Sequence, residues 1–102
     1  MIYLSNLEDI YKQIGQEAQK YNIDKIVLFG SRARGDNKPK SDIDLAVYGN
    51  LSIAENNQFY FFIQEALPTL LEVDIVFIHH KTSQELLDNI EKDGVVIYEK
   101  IW

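Results

Sequence analysis

Three aspartates and one Gly-Ser pair are the residues of this chain whose types and spacing could do chemistry. Gly30-Ser31 ends an apolar run, Asp42 and Asp44 follow twelve and fourteen residues after Gly30, and Asp74 lies in a second apolar run, Val73 to Ile78. Taken singly these are ordinary: a Gly-Ser turn is usually only a turn, and an Asp-x-Asp strand usually faces solvent. Together they ask for a reason, because aspartate is disfavoured in strands, where its short side chain competes for backbone hydrogen bonds. If the two segments are neighbouring strands, the carboxylates converge. Two such charges about 4 Å apart repel by roughly 4 kcal/mol at an effective dielectric of ~20, so a cation must offset them. Hard oxygen donors in a chain without cysteine select Mg²⁺ or Mn²⁺ over zinc. Mg²⁺ takes few protein carboxylates and fills its shell with water and substrate phosphate, so the acids point to a phosphorylated substrate. Gly30 has no Cβ to hold a phosphate away from the backbone, and Ser31 adds a hydroxyl and an N–H. An anion cradle beside a metal-binding acid pair is the equipment of phosphoryl transfer.

The elements around these residues must position them. Ser5-Asn6-Leu7-Glu8 reads as a capping box, and Leu7, Ile10, Tyr11, Ile14, Ala18 and Tyr21 follow at helical spacing, which predicts a first helix to about Tyr21. Ile26 to Phe29 reads as a buried central strand, and Gly30 to Lys40 as a turn-rich connector with one helical turn beginning at Ser31. Asp42 to Val47 alternates with period two, placing Ile43, Leu45 and Val47 on one face and both carboxylates on the other. A second capping box, Ser52 to Glu55, opens a helix that should end near Pro68. Val73 to Ile78 is the third strand, with Asp74 on the face opposite Val73, Ile75 and Phe77. Thr82-Ser83-Gln84-Glu85 caps a last helix that Gly94 terminates in the manner of a C-cap glycine, and Val95 to Tyr98 forms a short final strand. The predicted fold is α/β, a mixed sheet of three to four strands flanked by about four helices.

Composition sets the outer bounds. The 102 residues make one domain, 1–102, whose 46% hydrophobic and 25% charged content is that of a folded chain. No apolar run approaches the roughly 18 residues of a membrane span, and Met1 to Leu4 lacks a signal-peptide pattern, so the expected location is cytoplasmic. The net charge of -6 excludes a general nucleic-acid binder. Within residues 25–40, however, Lys25, Arg32, Arg34, Lys38 and Lys40 face the single Asp36, a local excess of four positive charges on a body carrying ten negative. Such a loop suits one phosphorylated small molecule better than a long polyanion.

Three further features stand outside this constellation. Phe59 to Phe62 puts four aromatics in about one helical turn, so they cannot all face one core: either one or two of them form a partner contact or the helix is buried on two sides. His79 and His80 could be read as metal ligands or a base, but as neighbours at a strand end they point apart, which argues against either role. Ile101-Trp102 fits either a partner contact or the body of the domain.

The run Gly30-Ser31-Arg32-Ala33-Arg34-Gly35, then Ser41-Asp42-Ile43-Asp44-Leu45, then Val73-Asp74-Ile75-Val76, resembles the signature of the polymerase-beta-like nucleotidyltransferases. It is most similar to the small bacterial and archaeal branch called minimal nucleotidyltransferases, from about Tyr21 to Glu99 and including the ending Asp93 to Glu99. The resemblance implies the fold of that family and transfer of a nucleoside monophosphate, AMP from ATP, to an acceptor hydroxyl. It implies two Mg²⁺ ions, with Mn²⁺ an alternative, on Asp42 and Asp44. It further implies that Gly30 and Ser31 hold the β- and γ-phosphates, and that Asp74 binds a metal and helps deprotonate the acceptor. Arg32 or Arg34 would reach the triphosphate or lie on the surface. The implied partner is a helical HEPN ribonuclease toxin, neutralised by AMP added to a tyrosine. The competing expectation is neutralisation by stoichiometric occlusion. Larger relatives carry a helical acceptor-binding domain that this chain lacks, so the acceptor surface would come from another protein or a second copy.

Overall fold

The computed structural model describes residues 6–101, which form α1 (Leu7–Ala18), β1 (Ile23–Phe29), α2 (Ser31–Arg34), β2 (Ile43–Gly49), α3 (Ile53–Glu65), β3 (Val73–Phe77), α4 (Gln84–Asp93) and β4 (Val95–Glu99). Ser5 of the expected first capping box and the terminal Trp102 lie outside the described residues. The cap of α1 is Asn6, whose side chain accepts from the Glu8 amide at 2.9 Å. The helix stops at Ala18, short of Tyr21, and the chain leaves it through a tightened turn in which the Tyr21 amide donates to the Ala18 carbonyl at 3.1 Å. Tyr21 still meets the core, edge-on to Phe59 with ring centroids 5.6 Å apart.

β1 begins three residues before the apolar run, at Ile23, because the polar Asp24 and Lys25 conceal its start and a register shift separates Ile23 from Lys25. The Ser52–Glu55 capping box is made in both directions, at 3.1 and 3.0 Å. α3 ends at Glu65 with Ala66 as its cap, ahead of Pro68, since the residue before a proline is pushed out of helical conformation. Ser83 caps α4, accepting from the Leu86 amide at 3.2 Å, while Thr82 accepts instead from the His79 amide. Gly94 does terminate α4, but not as a left-handed cap: its φ of -65° suits any residue, and what requires glycine is space, since a Cβ there would collide with the Ile90 carbonyl and Val27.

The strands form one mixed sheet in the order β3-β2-β1-β4, with β2 and β3 parallel and the other pairs antiparallel. Its two faces differ. One carries the main core, where Ile10, Ile14 and Ala18 of α1 and Phe59 and Ile63 of α3 cover Ile26, Leu28, Ile43, Leu45 and Val47. The other holds a smaller cluster of Val27, Ala46 and Ile90 under α4 alone. Among the described residues no helix is long and apolar enough to cross a membrane.

Candidate active site

Strand pairing brings the acids together. In the parallel β2–β3 ladder Asp44 and Asp74 are register partners, one step after Ile43 and Val73. Period two sends Ile43 and Val73 into the main core, so both carboxylates emerge on the α4 face. On its other side Asp44 is paired in register with Phe29, the last residue of β1. Asp42 precedes β2 in the connector, and its charge acts on the Asp74 carboxyl.

Gly30 closes the cluster. Its φ of 76° and ψ of -157° form a backbone state that side chains disfavour, and a Cβ built there would strike the Asp44 carboxylate. The glycine is thus required both by conformation and by the acid beside it. Ser31 opens α2, a single turn whose end is fixed by Gly35 at φ 84° as the Gly35 and Asp36 amides donate to the Ser31 carbonyl at 2.9 and 3.1 Å.

The two arginines do different things. Arg32 donates through Nε to the Ser41 carbonyl at 3.0 Å and through Nη2 to the Pro39 carbonyl at 3.1 Å, while Ser41 Oγ accepts from the Lys38 amide. It ties the connector back to α2 and so fixes how Asp42 arrives. Arg34 is exposed and pairs through Nε with Asp36 Oδ2 at 3.1 Å, while feeling the charges of Asp93 and Asp44 as well.

Electrostatics match the geometry. The Asp44 carboxyl is pushed above the ordinary carboxylate range, first by partial burial, then by the charges of Asp74 and Asp42, with Arg34 opposing. Asp74 is raised as well. It is exposed as a residue, yet its carboxyl loses hydration to its neighbours, and the Asp42 charge and a shared hydrogen bond add to that. Among the described residues no three His, Cys, Asp or Glu side chains already surround a metal-sized point. The donors nonetheless fit Mg²⁺ chemically: they are oxygen only, mutually repelling, and open to the water and phosphate that complete such a shell.

Residues set aside in the sequence fall away from this cluster. His79 and His80 follow β3 at its far end, their rings edge-on 6.1 Å apart, and His79 Nδ1 accepts from the Lys81 amide. Of the four aromatics on α3, Phe59 is fully buried and Phe62 packs partly on the core, while Tyr60 and Phe61 are 48% and 67% exposed. Sequence reasoning missed the neighbourhood of Gly30: a cavity of about 280 Å³ lies there, walled by Phe29, Gly30 and Arg34 and by Leu86, Asn89 and Asp93 of α4. The signal was present, because residues 86, 89 and 93 recur at helical spacing.

The chain belongs to the family described as Polymerase beta, Nucleotidyltransferase, which it matches over residues 12–101. It is a nucleotidyltransferase enzyme. A Methanocaldococcus jannaschii protein carrying the name protein adenylyltransferase is 33% identical, with 74% of this chain and 79% of that protein covered. The fold is shared with a minimal nucleotidyltransferase at a TM-score of 0.72 and 20% identity, over 92% of this chain and 95% of the other. It is also shared with a toxin–antitoxin crystal structure containing AMP-PNP, at a TM-score of 0.67 and 23% identity, over 91% and 73%. A further structural neighbour, at a TM-score of 0.57 and 20% identity over 88% and 73%, comes from the complex of a tri-AMPylated Shewanella oneidensis HEPN toxin with its MNT antitoxin.

Proposed function

We propose that residues 1–102 act in the cytoplasm as a single Mg²⁺-dependent adenylyltransferase domain, which moves AMP from ATP to a tyrosine hydroxyl of a helical HEPN toxin and thereby serves as its antitoxin. The observation that carries this reading is the register pairing of Asp44 with Asp74 against the Gly30 turn. Support for adenylyl transfer and for the HEPN partner comes from the adenylyltransferase relative and from the AMP-PNP and tri-AMPylated toxin neighbours. In this reading Gly30 and Ser31 receive the β- and γ-phosphates, and Arg34 lies within reach of the same tail. Mg²⁺, held by Asp42 and Asp44 with Asp74, would neutralise the triphosphate and make the acceptor hydroxyl more acidic. Asp74 orients that hydroxyl and takes its proton as the oxygen attacks the α-phosphorus and pyrophosphate departs. Its raised pKa brings it nearer to the working pH, where a general base is most effective. Arg32 acts through the connector, by holding Asp42.

ATP labelled at the α-phosphate tests the proposal with the HEPN partner present. Label should move to the partner with a mass gain equal to AMP, and Asp44→Asn should stop it. Neutralisation that survives Asp44→Asn undiminished would instead establish occlusion as the mechanism.

A further inference from the structure

We infer that Gln64, in the last turn of α3, is a positioning residue for Asp74. This rests on the reading of Asp74 as the group that takes the acceptor's proton. The side chain of Gln64 donates from Nε2 to the Val73 carbonyl at 2.7 Å, in a partly buried contact. That carbonyl belongs to the peptide whose nitrogen is Asp74's own. A peptide unit is planar, so holding its oxygen also holds the Cα from which the Asp74 side chain leaves.

The ladder leaves this carbonyl without a strand partner. The Ile43 amide donates to the Glu72 carbonyl and the Ile78 amide to the Val47 carbonyl, so the even-numbered residues of this segment turn their backbone groups toward β2. Val73, Ile75 and Phe77 turn theirs to the outer side, where β3 is the edge of the sheet. Among the described residues no other side chain hydrogen-bonds to the β3 backbone. Val73 is also the only buried residue of that strand. Asp74 therefore sits on a strand anchored at its first residue, facing Asp44 across the ladder and feeling the charge of Asp42, and both like charges favour its withdrawal. Gln64 opposes that, because it ties the strand to a helix whose Phe59 and Ile63 are locked in the main core. It lies on the core side of the sheet and the Asp74 carboxyl on the α4 side, so it acts through the backbone and touches no reacting atom.

Gln64→Met keeps the length and helix propensity of the side chain while removing the donor. Steady-state AMP transfer from ATP to the HEPN partner should lose roughly 10-fold in kcat with KM for ATP unchanged, less than the roughly 10²-fold that a displacement of about 1 Å can cost. In the nucleotide-free protein, amide exchange followed by NMR should quicken at Asp74 and Val76 and stay as it was in β1. Ile14→Val, on the core face of α1, controls for lost stability: it should lower the melting temperature and leave kcat as it was. A Gln64→Met protein that transfers AMP at the wild-type rate, or whose β3 amides exchange unchanged, overturns the positioning role while the transferase stands. So does an equal loss of kcat in Ile14→Val, because the effect would then follow stability alone. Absence of transfer by the intact protein removes the transferase reading, and the role of Gln64 with it.

Discussion

On one face of the sheet, α1 and α3 seal Ile26, Leu28, Ile43, Leu45 and Val47 from water; on the other, α4 alone covers Val27 and Ala46 and commits only Ile90 fully to the interior. The first face holds the larger cluster of buried residues. The second is left loosely covered, with the cavity of about 280 Å³ on one flank of α4 and another of about 520 Å³ beside Lys25, Tyr48 and Glu91 on the other. Asp44 and Asp74 emerge on this second face. The difference teaches how so small a chain divides its labour: burial on one side supplies the stability that lets like charges be held together on the other. A carboxylate cluster needs solvent and ligand access, which a sealed face denies.

The largest expected effect tests the sealed face. Phe59→Ala should cost about 3–5 kcal/mol in urea unfolding, the range for truncating a buried phenylalanine. Leu86→Ala, at a half-buried position of α4, should cost clearly less. Equal losses would break the asymmetry. On the acid face, Asp74→Asn should reduce AMP transfer by roughly 10²-fold or more, the lower range for a general base, while keeping most of the thermal shift given by Mg²⁺ with ATP. Asp44→Asn should lose that shift, because Asp44 sits between Asp74 and the Gly30 turn.

Gly30→Ala joins the two faces at their boundary. Its positive φ and the Asp44 contact should lower stability by about 1–3 kcal/mol and weaken AMP-PNP binding in calorimetry. An unchanged affinity in the folded variant would take the turn out of the site. The smallest effect concerns pH. Asp44 has a folded pKa above its unfolded one, so the native state holds its proton longer, and stability contributed by the protonated form is lost as pH rises through that window. In the absence of metal, Asp44→Asn should therefore raise the melting temperature slightly near neutral pH, and the gain should vanish once the solution is acidic enough to protonate the wild-type carboxyl. A stabilisation that grows on acidification would contradict the like-charge account.

Much of this was legible in the chain itself. Period-two alternation set Asp42, Asp44 and Asp74 opposite the core-facing positions, and the Ser52–Glu55 capping box and Pro68 marked α3 to within a few residues. Local rules failed where a neighbour in space decided. Gly94 looked like a C-cap glycine and is a space requirement, imposed by the Ile90 carbonyl of its own helix and by Val27 on β1. Arg32, offered by the resemblance as a triphosphate contact or a surface residue, donates to the Pro39 and Ser41 carbonyls, partners that no local pattern indicates. The polar start of β1 was hidden because its pairing with Gly49 belongs to β2.

Residue types and periodicity alone determined that three carboxylates share one side of apolar strands beside a glycine turn, because side-chain direction follows from local backbone geometry. Only the tertiary structure decided that β2 and β3 are parallel neighbours with Asp44 and Asp74 in register, that Gly30 touches Asp44, and that α4 leaves a cavity beside them. Those facts depend on strand order and packing between segments far apart in the chain, which no local pattern encodes.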